Sequence, residues 1–162
     1  NETPGLRLTG DDGAVLPEVM DVLEVVRASD MVLASGHASP AETLALLAAA
    51  KDLGVARTIV THPVGTADAA QINEMAALGA YIEHTFLSCT PSRQRTTPSE
   101  MAAAVHEIGV ERCIVTTDFG QWMNPSPAEG MRMAIAELLN AGLSDDEVTA
   151  LVTKNPLGLI GT

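Results

Sequence analysis

The chain has 162 residues, of which 46% are hydrophobic, and this is enough apolar material for one domain with a buried core. Acidic residues outnumber basic residues by 21 to 9, which gives a formal net charge of −12. Such a charge repels phosphate backbones and anionic lipid headgroups, so it argues against a nucleic-acid-binding or membrane-surface protein. The longest apolar run, residues 44–50, is far shorter than the roughly 20 residues that span a bilayer. Two cysteines make no disulfide framework, and we therefore expect a soluble, cytoplasmic protein.

Short β-branched runs alternate with longer segments of helical period, which is typical of βα units and a parallel sheet. The pattern predicts five strands, at Gly5–Thr9, Met31–Ser35, Arg57–Thr61, Ala80–His84 and Arg112–Thr117. It predicts six helices, at Leu16–Ala28, Pro40–Leu53, Ala69–Leu78, Pro98–Ile108, Pro127–Asn140 and Asp145–Thr153. We therefore expect residues 1–162 to form a single α/β domain.

Four of the predicted helices begin with the sequence of a capping box. In each, a hydroxyl residue is followed three positions later by a glutamate, and these hydroxyl residues are Ser39, Thr97, Ser126 and Ser144. The hydroxyl accepts a hydrogen bond from a free backbone N–H of the first turn, while the glutamate returns to the backbone of the cap. Glycines mark the predicted helix ends, at Gly54, Gly79, Gly109 and Gly142.

Polar side chains that suit a metal ion stand where the predicted strands end. His37, His62, His84 and Asp118 each follow or close a β-branched run, whereas His106 lies inside a predicted helix. Because ligands of parallel α/β folds gather at the carboxyl ends of the strands, these residues are candidates for one common site. Imidazoles and a carboxylate are ligands that zinc takes in sites open to water.

The same residues also have structural explanations. His37 can cap the helix that begins at Pro40, and His62 before Pro63 can be part of a rigid turn. His84 can act as a substrate contact or as a packed residue, and the adjacent Glu83 can take the functional role instead.

Beyond Asp118, the predicted loop contains Gln121 and Asn124, which we add as candidate substrate contacts. An aspartate that follows a β-branched run needs a partner if it is buried, and this favours Asp118 as a functional residue.

Several short segments together resemble the metal-dependent amidohydrolase superfamily over almost the whole chain. They are Ser35-Gly-His37, Thr61-His-Pro63, Glu83-His84, Thr117-Asp-Phe-Gly-Gln121, Asn124-Pro-Ser-Pro-Ala-Glu-Gly130 and Lys154-Asn-Pro156. The branch that is most similar is an uncharacterised, amidohydrolase-like one. The resemblance implies a (β/α)₈ TIM barrel in which His37 and His62 are metal ligands and Asp118 is a metal ligand or the general base.

The chain departs from that superfamily at its beginning. Members have a His-x-His pair after the first strand, and no such pair occurs here. A full barrel takes about 250 residues, so the resemblance implies that residues 1–162 are the carboxyl-terminal portion, strands four to eight. Partial barrels leave sheet edges open, and we expect a missing amino-terminal half or a homo-oligomer to cover them.

The function that these features imply is hydrolysis of an amide, ester or related bond of a small molecule through a metal-activated water. Zinc is the first choice of divalent metal, with iron or manganese as alternatives. Asp118 is expected to take the proton from the attacking water. The alternatives are a decarboxylase of the same superfamily and a non-catalytic α/β binding or assembly module.

Overall fold

A computed structural model describes residues 5–161 of the chain. Four short strands form one sheet: β1 (Leu33–Ala34), β2 (Thr58–Val60), β3 (Tyr81–Thr85) and β4 (Cys113–Thr116). Seven α-helices accompany them in the described residues: α1 (Pro17–Ala28), α2 (Pro40–Leu53), α3 (Ala69–Ala77), α4 (Pro98–Ile108), α5 (Pro127–Asn140), α6 (Asp145–Thr149) and α7 (Asn155–Ile160). A π-helical turn, Ala150–Lys154, joins the last two helices, and 3₁₀ turns occur at Phe86–Cys89 and Val110–Arg112.

All strand pairs are parallel, and the strands follow chain order, β1-β2-β3-β4. Because connections between parallel strands are right-handed, a sheet built in chain order carries its crossover helices on one face. Each of α1 to α5 contacts the next helix, as this arrangement requires. The chain is therefore an α/β fold in which one face of a parallel sheet is packed against a row of helices.

The main core lies between the sheet and these helices. Val60, Ile82, Cys113 and Val115 point into it from the sheet and are nearly inaccessible to solvent. Since side chains alternate along a strand, the neighbouring residues Tyr81, Glu83 and Thr116 point to the opposite face, where they stay partly exposed. A second, smaller core joins α1, β1 and α2.

The predicted helix bounds are accurate where the sequence has both a hydroxyl residue at the N-cap and a glycine near the C-terminal end. Capping boxes form as predicted at Ser39, Thr97 and Ser144. At Ser126 the hydroxyl accepts from the backbone N–H of Glu129, but the Glu129 carboxylate pairs with Arg132 and does not return to the cap. One box that was not predicted forms at Asp68.

The predicted first strand, Gly5–Thr9, is wrong. Only Thr9 has β pairing, in an isolated antiparallel bridge to Val15. The backbone N–H of Leu8 donates to the carboxylate of Glu42 at 2.8 Å, and its carbonyl accepts from Leu16. These contacts use the backbone N–H and carbonyl of Leu8 outside any strand ladder, and the sheet has four strands in the described residues. Within residues 5–161, no helix combines the length and apolar character needed to cross a membrane.

Candidate functional site

His37 and His62 meet at the carboxyl ends of β1 and β2. Their Nε2 atoms are 3.1 Å apart, and the ring centroids are 4.9 Å apart with an angle of 54° between the planes. In this arrangement one imidazole donates a hydrogen bond to the other. His37 is exposed and His62 is partly exposed, so both remain open to solvent.

The backbone explains why these two side chains converge. Ser35 links the two strand ends, because its N–H donates to Ile59 O and its Oγ accepts from Thr61 N at 3.0 Å. Gly36 then takes a positive φ of 59°, which turns the chain toward His37. The pair of imidazoles is therefore positioned by regular strand pairing followed by a turn.

His62 itself has a positive φ of 25°, and Asp118 has one of 54°. Side chains other than glycine rarely adopt this region, and residues held there cluster at active sites and ligand-binding sites. Each residue stands two positions after the end of a strand, His62 after β2 and Asp118 after β4. The strain therefore coincides with two of the three residues predicted as metal ligands.

Asp118 is held between two buried neighbours. Thr117 and Phe119 are 8% and 5% exposed, and Phe119 packs against Phe86 with 6.2 Å between the ring centroids. Asp118 is itself exposed, so its carboxylate faces the cleft without a protein partner within hydrogen-bond or ion-pair distance in the described residues.

One cleft of about 280 Å³ brings these residues together, and its lining is more cationic than the sequence predicts. The lining residues are His37, His62, Thr66, Thr85, Leu87, Ser88, Arg93, Arg95 and Asp118. The opening continues into a wider cleft, to which Glu83, Thr116 and Gln121 contribute. The structure thus gathers His37, His62, Asp118, Glu83 and Gln121 at one edge of the sheet.

Glu83 is engaged with the backbone of this edge. Its Oε2 accepts from the N–H of His62 at 3.3 Å, and its Oε1 accepts from Thr116 Oγ1 at 2.9 Å. Asn124 lies one turn beyond Gln121, and its side-chain amide donates to the Gln121 side chain. Asn124 is therefore connected to the cleft by its hydrogen bond to Gln121, which lines it.

His84 is not brought to the cleft. It lies within β3, on the same face as Ile82, and only 1% of it is exposed. Among residues 5–161 neither ring nitrogen has a hydrogen-bond partner, and burial lowers the pKa of His84 to about 4. This position does not favour the substrate contact that the sequence suggested for His84.

The structure brings together only part of the predicted set of metal ligands. Two imidazoles meet, but in residues 5–161 no group of three or more His, Cys, Asp or Glu side chains is close enough to hold an ion together. Asp118 lines the same cleft without closing on the histidines. Burial raises the pKa of the half-buried Cys89 to about 11, so its thiol is protonated at neutral pH, which disfavours a role as nucleophile.

Sequence reasoning missed Arg93 and Arg95. Both lie in the loop after β3, and loops at the carboxyl ends of parallel strands are where functional residues concentrate. Their position in the chain was therefore the available signal.

Comparison with known proteins and protein families gives one match, to a family model. A search of the curated proteins and a search of the solved structures return no significant match. Residues 1–83 match a family of unknown function, DUF6282. The matched segment includes α1 to α3, the first two strands and both converging histidines, and it ends at Glu83. Because it covers 83 of the 162 residues, more than half of the chain, this protein belongs to the DUF6282 family.

Proposed function

We propose that this protein is a metal-dependent hydrolase that acts on an amide, ester or related bond of a small molecule. The observation that carries the proposal is the 3.1 Å separation of the His37 and His62 Nε2 atoms at adjacent strand ends. Two imidazole nitrogens bound to one tetrahedral zinc ion lie about 3.4 Å apart, since each Zn–N bond is about 2.1 Å long. The distance between the two Nε2 atoms thus needs to change by only a few tenths of an ångström, while the rings lose the shared proton and turn so that both lone pairs point at the ion.

His37 and His62 would hold the metal, with Asp118 as the third ligand from the opposite side of the cleft. When bound, a divalent cation supplies Lewis acidity that lowers the pKa of a water molecule and polarises the scissile bond. Zinc fits the imidazole and carboxylate donors, and iron and manganese accept the same set.

The protein residues have separate tasks in this proposal. Asp118 accepts the proton of the attacking water, because its exposed carboxylate faces the cleft with no competing partner in the described residues. Glu83 holds the backbone of His62. Gln121, from the loop after β4, lines the wider part of the cleft and would contact substrate, and Asn124 would orient it through the hydrogen bond between their side chains.

We also propose that the sheet is part of a (β/α)₈ barrel of the amidohydrolase type. Three features support this architecture: the strands are parallel and in chain order, their helices occupy one face, and the candidate site lies at the carboxyl edge. The remaining strands would come from further polypeptide or from a second copy of the chain. β1 and β4 are the edges at which these strands would pair.

Metal analysis tests the function directly. We expect near-stoichiometric zinc, iron or manganese in protein purified without chelators, and strong depletion in the His37→Ala and His62→Ala variants. His106→Ala is the matched control, because His106 lies on α4 and hydrogen-bonds Glu147 away from the cleft. An equal metal content in the wild type and the three variants would refute the proposal.

Turnover then separates the hydrolase from its alternatives. Metal-loaded protein should cleave members of a panel of chromogenic esters and anilides, lose this activity with a chelator and regain it with zinc. Metal binding without turnover of any panel member would instead favour a binding module, and release of carbon dioxide from carboxylic acids would favour a decarboxylase.

A further inference from the structure

Two arginines line the cleft beside the histidines. Arg93 and Arg95 belong to the loop between the 3₁₀ turn Phe86–Cys89 and α4, which follows β3 at the carboxyl edge of the sheet. Both line the same opening as His37, His62 and Asp118. The cleft thus combines converging imidazoles and one carboxylate with two guanidinium groups.

Backbone hydrogen bonds hold the two arginines in this loop. The carbonyl of Ser88 accepts from Arg95 N at 2.9 Å, and the carbonyl of Thr90 accepts from Arg93 N at 3.0 Å. Gln94, between them, takes a positive φ of 47°, which reverses the chain direction locally. The two side chains therefore emerge from a defined turn.

Arg95 is also fixed by the loop that follows His62. Gly65 has a φ of 88°, and a Cβ added there would lie 3.3 Å from Arg95 Cδ. The aliphatic part of Arg95 therefore passes close over the Gly65 backbone. Thr66, which follows Gly65, lines the same cleft as Arg95.

In the part of the chain that the structure describes, neither Arg93 nor Arg95 has a carboxylate partner. Three other arginines pair with carboxylates, namely Arg7 with Asp11, Arg57 with Asp30 and Arg132 with Glu129, whereas Arg27 and Arg112 make no ion pair in residues 5–161. Within residues 5–161, Arg93 and Arg95 make no ion pair and no side-chain hydrogen bond. The chain as a whole has a net charge of −12. The cleft differs from it, because two unpaired guanidinium groups give it a local positive charge.

We propose that Arg93 and Arg95 bind an anionic group of the substrate, a carboxylate or a phosphate, so that the substrate of this site is a small organic anion. A guanidinium presents planar, paired N–H donors that match carboxylate and phosphate oxygens. The inference deepens the proposed function, because it places the anionic end of the substrate against the Ser88–Arg95 loop and the bond to be cleaved beside His37 and His62. Asp118 would repel that anion, which favours binding with the anionic end directed at the arginines.

Anion titration of metal-free protein tests this inference. Inorganic phosphate and succinate serve as separate probes in isothermal titration calorimetry, so that a phosphate site and a carboxylate site are distinguished. Arg93→Gln and Arg95→Gln should each weaken binding of the preferred anion by about tenfold, as expected for loss of one charge-assisted hydrogen bond. The double variant should show no measurable binding.

Two kinds of variant make the result specific. Arg132→Gln is the matched control, because Arg132 is exposed and pairs with Glu129 on α5, and it should bind like the wild type. Arg93→Lys and Arg95→Lys keep the charge without the paired donors and should retain part of the affinity.

The proposal is overturned if the wild type binds neither anion, or if the double variant binds as tightly as the wild type. Equal weakening in Arg132→Gln would also overturn it, because the effect would then be one of net charge. Since the titration uses metal-free protein, its failure is distinct from failure of the metal proposal, which metal analysis reports separately.

Discussion

The carboxylate of Glu83 accepts a hydrogen bond from the backbone N–H of His62, with 3.3 Å between Oε2 and the nitrogen. The other carboxylate oxygen accepts from Thr116 on β4, so one side chain connects the ends of three neighbouring strands. Because His62 has a positive φ, this bond supports a backbone conformation that a histidine does not favour. Glu83 therefore fixes the position of a proposed metal ligand.

Substitution of Glu83 should separate this supporting role from metal ligation. We expect Glu83→Ala to lower zinc affinity by about 10- to 100-fold, as for other residues that orient metal ligands. Glu83→Gln should lose much less, because its amide oxygen can accept from His62 and its NH₂ group can donate to Thr116 Oγ1. Zinc competition titration measures both. An equal loss in the two variants would instead make Glu83 a direct ligand.

Asp118→Asn should keep the fold and lose turnover. Asparagine tolerates the left-handed backbone conformation of Asp118 but cannot accept the proton of a water molecule. We expect a rate decrease of about 10²- to 10⁴-fold with a chromogenic ester that the wild type cleaves. The matched control is Asp30→Asn, since Asp30 has a similar φ of 49° and pairs with Arg57 away from the cleft. Wild-type rates in Asp118→Asn would refute the assignment of Asp118 as the base.

Two helical glycines should respond to alanine in opposite directions. A Cβ on Gly130 of α5 would lie 2.5 Å from Phe119 Cδ2, so Gly130→Ala must displace the ring next to Asp118. We expect a loss of about 1–3 kcal/mol in the free energy of unfolding, as for other overpacked cores. At Gly158 of α7 the nearest atom is 3.9 Å away, and alanine there should stabilise the helix by about 0.5–1 kcal/mol. Urea denaturation compares the two, and equal effects would contradict the packing described.

The buried His84 should make the fold less stable in acid. Its pKa is lowered from 6.5 to about 4 by burial, so the unfolded chain takes up a proton at a higher pH than the folded chain. Stability that is present above pH 6.5 is therefore lost as the pH falls toward 4, by about 3 kcal/mol in total for this one group.

The measurement is urea denaturation at several values of pH between neutrality and the folded-state pKa of His84. In His84→Leu the loss of stability on acidification should be smaller by the contribution of this group. Parallel stability curves for the variant and the wild type would show that His84 takes up no proton on unfolding in this range.

Helix bounds were predictable because their determinants are local. The predicted helices Pro40–Leu53, Pro98–Ile108 and Pro127–Asn140 agree with α2, α4 and α5 at both ends. In each, a hydroxyl cap and a proline at the first helical position lie next to each other in the sequence. Such contacts do not depend on the rest of the fold.

The errors arose where distant residues decide the outcome. Gly5–Thr9 has the alternation of a strand, but Glu42, 34 residues from Leu8, takes the backbone donor. At His84 the prediction ended the strand one residue early. β3 continues to Thr85, so His84 lies inside the strand and faces the helices while Glu83 faces the cleft.

The position of the candidate site was predictable from the sequence, but the cationic character of its cleft was not. His37, His62 and Asp118 follow strands, and strand pairing alone brings their positions to one edge. Arg93 and Arg95 reach the cleft through a loop whose path depends on the left-handed Gln94 and on the space over Gly65. Neither feature is encoded by periodicity.

Because the sheet follows chain order, the cleft draws one short segment from each of four successive strand ends. Parallel strands are joined by long crossover connections, so the cleft forms only when contacts between residues distant in the sequence are made. Opening any one βα unit dismantles the cleft, and a molecule that occupies it therefore stabilises the whole sheet by mass action. Occupancy and global folding are thus thermodynamically linked in this architecture, even though no ligand-lining segment is longer than a few residues.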